Sequence, residues 1–384
     1  MKKIKEIVLR PIIENAIESG RIVGTSIVVM HRGKIALEEH AGWADQEQNI
    51  SVNAETLFRL ASMTKPIVSA AALVLLEKSL LKLDIPITHW LPAFTPKMPD
   101  GKVAQITLRH LLTHTAGLSY GFLSPDNEPY HSAGISDGMD EKVLMFEENL
   151  KRIASVPLLF VPGSAYHYSI ATDIVGAILE KICGKPLPHI IEQYITEPLG
   201  MKDTSFYLRE KSRLAKAYAN HDTGNGKARL MQAADKVLLT GCGYIHYAPG
   251  RISNPRAYPS GGTGMVGTAK DYLLFLEAIR CGGNPILSSH SVQLLTQDLV
   301  QNFEVAAAGP GFGFGMGFAV VRDSELANTP CNKGSYEWGG VYGTKMFVDP
   351  QAELAVVILT NTALEGLLGK FPTDITRAIY SAIQ

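Results

Sequence analysis

Apolar positions recur along this chain with two different periods, and the changes of period divide it into three stretches. Near the start, Ile4, Ile7, Val8 and Ile13 share one side of a helical wheel, which predicts an amphipathic first helix. β-Branched runs over 22–31 and 34–42 follow. They are joined by Arg32-Gly33 and read as a hairpin. Residues 56–60 predict a short strand leading into a long apolar helix that runs from near Ser62 to about Leu83. From Pro86 to about Tyr247 helical periods dominate, over 108–113, 141–154, 172–183 and 189–199, between polar loops rich in Gly, Pro, Asp and Asn. Residues 259–267 are glycine-rich, and 268–279 form an amphipathic helical pattern with Asp271 in the first turn. The last third returns to strands. Residues 312–321 alternate glycine with bulky side chains. The runs 343–348 and 353–360 flank the turn signal Asp349-Pro350-Gln351-Ala352, and 366–383 close as a helix.

Strands at both ends around a helical middle predict one antiparallel sheet built from both ends of the chain, an α+β architecture flanked by helices. The expected division is a discontinuous sheet domain, 1–84 with 255–384, and a mainly helical domain, 85–254, with the active site at their interface. Apolar residues make up 46% of the 384, enough for a sizeable core. The formal net charge of -1 carries no basic excess, so neither nucleic acid nor an anionic membrane is an expected partner. No stretch approaches the ~18 apolar residues of a membrane span. Met1-Lys2-Lys3-Ile4-Lys5 resembles the start of a signal peptide. Glu6, Arg10 and Glu14 then interrupt it and no apolar segment follows, so a cytoplasmic location is expected. Cys183, Cys242, Cys281 and Cys331 are widely spread, which suggests reduced thiols rather than a zinc site or disulfide framework. The 11 histidines include no H-E-x-x-H, and neither metal nor cofactor is expected.

Ser62-Met63-Thr64-Lys65 opens the long apolar helix. At a spacing of three, Ser62 and Lys65 lie one turn apart on the same face. A serine hydroxyl becomes a competent nucleophile when an adjacent base takes its proton, and a lysine of lowered pKa is such a base. The helix start adds backbone N–H groups beside the hydroxyl. The alternative is an N-cap serine followed by a solvated lysine. Two other motifs lack their context. Gly117-Leu118-Ser119-Tyr120-Gly121 matches the hydrolase nucleophile elbow, but a helical pattern precedes it where the elbow needs a strand. Gly262-Thr263-Gly264-Met265-Val266-Gly267 matches a dinucleotide fingerprint, yet no strand precedes it, so close backbone packing near a site is expected instead.

Two further stretches suggest chemistry. Pro162-Gly163 turns the chain toward Tyr166-His167-Tyr168, just before a helix from about Ala171, and a phenol held near Lys65 would shuttle a proton. Glu337-Trp338-Gly339-Gly340-Val341 lies on or beside a C-terminal strand. Its paired glycines permit close backbone approach, so a backbone N–H there would complete an oxyanion hole with that of Ser62.

The order Ser62-x-x-Lys65, Tyr168, Trp338-Gly339-Gly340, together with 106–118 and 260–265, resembles the serine β-lactamase and penicillin-binding-protein superfamily over nearly the whole chain. Within it the chain looks most like family VIII carboxylesterases, relatives of class C β-lactamases. The resemblance implies Ser62 as acylated nucleophile, Lys65 as base and Tyr168 as proton relay, in its phenolate form. It implies the N–H groups of Ser62 and Val341 as oxyanion donors, and Tyr120, Trp338, Gly339 and Gly340 as substrate-binding. Asp173 would fix local structure. Two departures from the β-lactamase pattern favour a neutral ester. Tyr168-Ser169-Ile170 stands for Tyr-x-Asn, and Trp338-Gly339-Gly340 for Lys-Thr-Gly. The implied function is cleavage of carboxylic esters, with short acyl chains. Turnover of a small-molecule β-lactam, or acyl transfer on the same fold, are the alternatives.

Overall fold

Eight strands form the central sheet, and their order shows where the two ends of the chain meet. The computed structural model describes residues 9–123, 129–220 and 226–383. β1 (Gly24–His31), β2 (Lys34–Asp45) and β3 (Ile50–Ser51) come from the N-terminal part. β4 (Phe312–Phe314), β5 (Ala319–Val321), β6 (Tyr336–Gly340), β7 (Thr344–Asp349) and β8 (Leu354–Thr360) come from the C-terminal part. The order is β4-β5-β6-β7-β8-β1-β2-β3, with every neighbouring pair antiparallel. The seam is the β1–β8 pair, with Ile27 opposite Ile358 and Val29 opposite Val356. β8 is buried at all positions, which requires cover on both faces of the sheet and explains its unbroken apolar run. The α+β class and the sheet built from both ends hold as expected.

The covering helices follow from their apolar stripes. α1 (Arg10–Glu18) buries Ile13 and Ala16. The expected contributions of Ile4, Ile7 and Val8 to this helix lie outside the described residues. α2 (Thr64–Glu77) is buried at nearly every position, as a helix that is apolar all round must be. α3 (Ala171–Cys183) packs on α2, and α4 (Ala269–Arg280) on β1 and β8. The Thr268 side chain caps α4 by accepting the Asp271 N–H. α5 (Lys370–Ile383) lays Tyr380 over Phe347 and hydrogen-bonds Asp349.

Some boundaries differ from the pattern reading. α2 stops at Glu77, not Leu83, because Ser79 turns to φ 59°. The closing helix is split into Glu365–Leu368 and Lys370–Ile383. The middle stretch also holds short strands that helical periodicity missed. Asp235–Leu238 pairs with Tyr244–Tyr247, and Tyr218–Ala219 pairs with Arg229–Leu230 and Thr362–Ala363. Among the described residues no helix is long and apolar enough to cross a membrane.

Candidate active site

Ser62 sits on a strained turn ahead of α2. Phe58–Arg59 pairs with Val266–Gly267, and the next residues, Ala61–Met63, form a single 3-10 turn. Ala61 holds φ 45°, a left-handed conformation an alanine seldom takes, at a cost of roughly 1–2 kcal/mol. The surroundings over-determine it. Leu60 N–H donates to Met265 O (2.9 Å), Met265 N–H to Thr64 Oγ1 (3.1 Å), Thr344 Oγ1 to Leu60 O (3.2 Å) and Tyr272 OH to Met63 O (2.7 Å). Strain of this kind gathers at functional turns. Here it turns Ser62 toward Lys65 and Tyr168.

The structure brings these three side chains together. Lys65 Nζ lies 3.2 Å from Ser62 Oγ and donates to the Gly262 carbonyl at 2.9 Å. Tyr168 OH donates to Ser62 Oγ at 2.7 Å. Lys65 is 2% exposed, and its Nζ lies over the rings of Tyr168 (4.8 Å) and Tyr120 (5.1 Å). Burial pulls its pKa down to about 7, against the opposing pull of Asp173 and Asp137. Burial pushes Tyr168 well above the usual phenol range, with the hydrogen bond to Ser62 offsetting part of the rise. Burial thus works against the phenolate expected for Tyr168, whose hydroxyl hydrogen-bonds Ser62 Oγ.

An aromatic cage fixes Tyr168. Its ring centroid is 4.9 Å from His114, 5.3 Å from Tyr120 and 5.3 Å from Trp338. His114 Nδ1 bonds Ser169 Oγ (3.2 Å), and the His114 carbonyl accepts the His167 N–H (2.9 Å), so the 114 turn aims the tyrosine segment. Phe314 of β4 packs on His114, Tyr166 and Trp338. From the sequence, His114 reads as a hydrogen-bonded structural histidine near these stretches. Phe314 was not expected as a support of the site, and its available signal was a glycine-flanked position in an apolar strand.

Ser62, Tyr168, Trp338, Gly339 and Val341 line a cavity of about 450 Å³. Much of its remaining wall is apolar, from Phe122, Leu123, Leu239, Leu367 and Leu368, with His167 and Thr240 among its polar residues. The ion pair Glu337–Lys345 (2.9 Å) is the charged feature of its lining. Two expected substrate contacts differ. Tyr120 is fully buried and lies behind Lys65, stacked on Phe122 at 4.7 Å, so it does not face the cavity. Gly340 also lies beneath it. A Cβ there would stand 2.2 Å from Leu60 O and 3.1 Å from Ala61 Cβ, so glycine lets β6 press against the Ser62 turn. Tyr247 OH donates to Val341 O at 2.9 Å and anchors the residue after that strand.

The two motifs out of context behave as expected. Ser119 is buried and does not line the cavity; its Oγ bonds Tyr120 O (3.2 Å) and Nε2 (3.0 Å) of the lining residue His167. Gly262 lies where backbone must approach the site closely. A Cβ there would meet Asp173 Oδ2 at 2.5 Å and Tyr120 OH at 2.8 Å. Asp173, in the first turn of α3, is raised above the usual carboxylate range by burial, against the charge of Lys65. Asp137 accepts the Gly121 N–H (3.1 Å) and is pushed up to about 7 by burial. Nothing in the sequence singled it out.

Comparison with known proteins gives this geometry its setting. The profile of the beta-lactamase family matches residues 9–371. The chain belongs to the beta-lactamase family. Within that family it is 41% identical over 374 residues to Esterase EstB of Burkholderia gladioli, covering 97% of this chain and 94% of that protein. It superposes on EstCE1, described as a hydrolase with promiscuous acyltransferase activity, with TM-score 0.93 and 41% identity, over 97% of this chain and 98% of that one. It is also 27% identical over 351 residues to monacolin J acid methylbutanoyltransferase of Aspergillus terreus, covering 86% of this chain and 82% of that enzyme. The resemblance expected from the sequence, to esterases within the β-lactamase superfamily, holds.

Proposed function

We propose that this protein is a serine hydrolase that cleaves carboxylic esters of short acyl chain through an acyl-enzyme on Ser62. The observation that carries the proposal is the meeting of Lys65 Nζ and Tyr168 OH at Ser62 Oγ, 3.2 and 2.7 Å away, on the wall of an apolar cavity. The esterase name of a 41% identical relative supports it. A neutral lysine amine has two N–H donors and one lone pair. With one N–H on Gly262 O, its lone pair is available to the Ser62 hydroxyl. Lys65 takes the Ser62 proton as Oγ attacks the ester carbonyl, and the N–H groups of Ser62 and Val341 receive the oxyanion. Tyr168 gives its phenol proton to the departing alkoxide and recovers one from Lys65. Water then enters and attacks the acyl carbonyl, its proton passing through Tyr168 to Lys65, and Lys65 returns a proton to Ser62 Oγ as the C–Oγ bond breaks and the acid leaves.

Trp338 and Gly339 form the substrate wall, and their apolar surface suits a neutral ester better than a β-lactam carboxylate. Acyl transfer is the second reading, since EstCE1 is described with that activity and an alcohol that outcompetes water needs no new residue. The same proposal divides the chain into a sheet domain, 1–84 with 255–384, and a helical domain, 85–254. In support, Ser62 and Trp338 come from the first and Tyr168 from the second. It takes small-molecule esters as partners, not nucleic acid or membrane, and a cytoplasmic location. Four unpaired cysteines suit a reducing compartment. The test is hydrolysis of p-nitrophenyl butyrate and of nitrocefin, side by side. Fast butyrate turnover, slow nitrocefin turnover and loss of both in Ser62→Ala are expected. Butyrate turnover that survives Ser62→Ala and disappears in Ser119→Ala overturns the assignment.

A further inference from the structure

A second cavity, of about 430 Å³, is walled in part by the loop that carries Gly262. Thr263, Gly264, Met265 and Val266 form part of its wall, whereas Ser62 and Trp338 do not reach it. Three cations line it, Arg59, Lys211 and Arg251, and no aspartate or glutamate does. Arg59 is the unusual one. Its Nε and Nη2 donate to Pro249 O (3.0 and 2.7 Å) and its Nη1 to Ala215 O (2.7 Å), so carbonyls hold it, and among the described residues no carboxylate pairs with it. Its guanidinium lies 5.7 Å from the Tyr342 ring centroid. Burial lowers its pKa, the signature of a desolvated cation short of negative charge. Arg251 lies 4.9 Å over Tyr258 and has an acidic neighbour, Asp140, at 3.7 Å, yet its Nη2 is buried without a hydrogen-bond partner. Lys211 is exposed at the rim. The remaining walls include Phe206, Leu208 and Ile252.

We propose that this cavity binds a small organic carboxylate with an apolar tail, its anion held among Arg59, Arg251 and Lys211 and its tail against the aromatic and aliphatic walls. A desolvated guanidinium with no counter-ion is stabilised by an anion it can pair with, and Arg59 keeps one N–H on each of Nη1 and Nη2 beyond those given to the carbonyls. A volume of this size admits such a molecule whole. Acids released from short esters are of this class, a link that rests on the proposed function, while the binding itself does not.

Titration calorimetry of the full chain with hexanoate, hexanol and inorganic phosphate tests it without any turnover. Saturable binding of hexanoate, none of hexanol and weaker binding of phosphate are expected. Arg59→Gln should weaken hexanoate by about tenfold or more, as loss of a buried charge partner does. That variant also loses the Pro249 and Ala215 contacts and can fail to fold. Lys211→Glu reverses a rim charge and Ser253→Trp fills the exposed mouth, and each should weaken hexanoate several-fold while p-nitrophenyl butyrate turnover is kept. Equal binding of hexanol, no saturable hexanoate binding, or unchanged affinity in both Lys211→Glu and Ser253→Trp would overturn the site. Phosphate binding as tight as hexanoate would overturn the apolar-tail half of it.

Discussion

At the residue scale the account rests on the protonation states of two side chains. Lys65 has its pKa lowered to about 7 by burial, so the neutral, base-competent amine is lost as pH falls through that value. Tyr168 is raised by burial and stays a neutral phenol across the same range. A plot of kcat/KM against pH for a p-nitrophenyl ester should therefore rise through about pH 7 and then hold a plateau, with no descending limb from a tyrosine. An ascending limb below pH 5 would point to a carboxylate base instead. Lys65→Arg keeps a permanent cation and should be as inactive as Lys65→Ala, a comparison that a merely structural lysine would fail. Tyr168→Phe keeps the ring in its cage and removes the hydroxyl, and should lower kcat by roughly two to four powers of ten, read by steady-state kinetics beside an unchanged melting curve. Ser62, Lys65 and Tyr168 were legible in the sequence because motif spacing on a helix dictates contact. The placement of Tyr120 was not, because it depends on Tyr168 and Gly262, residues distant from it in the chain.

At the scale of elements, the site depends on how closely three pieces of backbone approach. β6 presses on the Ser62 turn through Gly340, and the 262–267 loop supplies the carbonyl that holds Lys65. Gly340→Ala would push a methyl to 2.2 Å from Leu60 O, where backbone and not a flexible side chain must yield. It should cost roughly 1–3 kcal/mol of stability and lower ester turnover at the same time. Chemical denaturation and kinetics on one sample check both, and a stable, fully active Gly340→Ala protein would refute the close approach. Strand pairs such as 24–31 with 34–45 were readable because alternation and a turn signal coincide. The two short sheets of the middle stretch were not. Strands of two to four residues carry too little alternation to outweigh the helical periods around them.

At the scale of the whole molecule, the sheet seam joins the two ends of the chain, and the Ser62 turn packs on the neighbouring strands β6 and β7. Ile27 and Ile358 face each other across that seam with no exposed surface. Ile27→Ala should lower unfolding stability by about 2–5 kcal/mol, read as a shift of the urea midpoint. The fold class was visible in the sequence because strands at both ends leave one sheet as the economical arrangement. The position of the cationic cavity was not, since Arg59, Lys211 and Arg251 converge only in the folded chain. The same folding separates two serines that both sit in hydrolase-like motifs, exposing Ser62 to the apolar cavity and tying Ser119 to His167. Peptide mapping of the protein after reaction with an alkyl fluorophosphonate distinguishes them directly. The account predicts a single phosphonylated peptide carrying Ser62, labelled at a rate that collapses in Lys65→Ala. Label on Ser119, or no label on an enzyme that still cleaves esters, would contradict it.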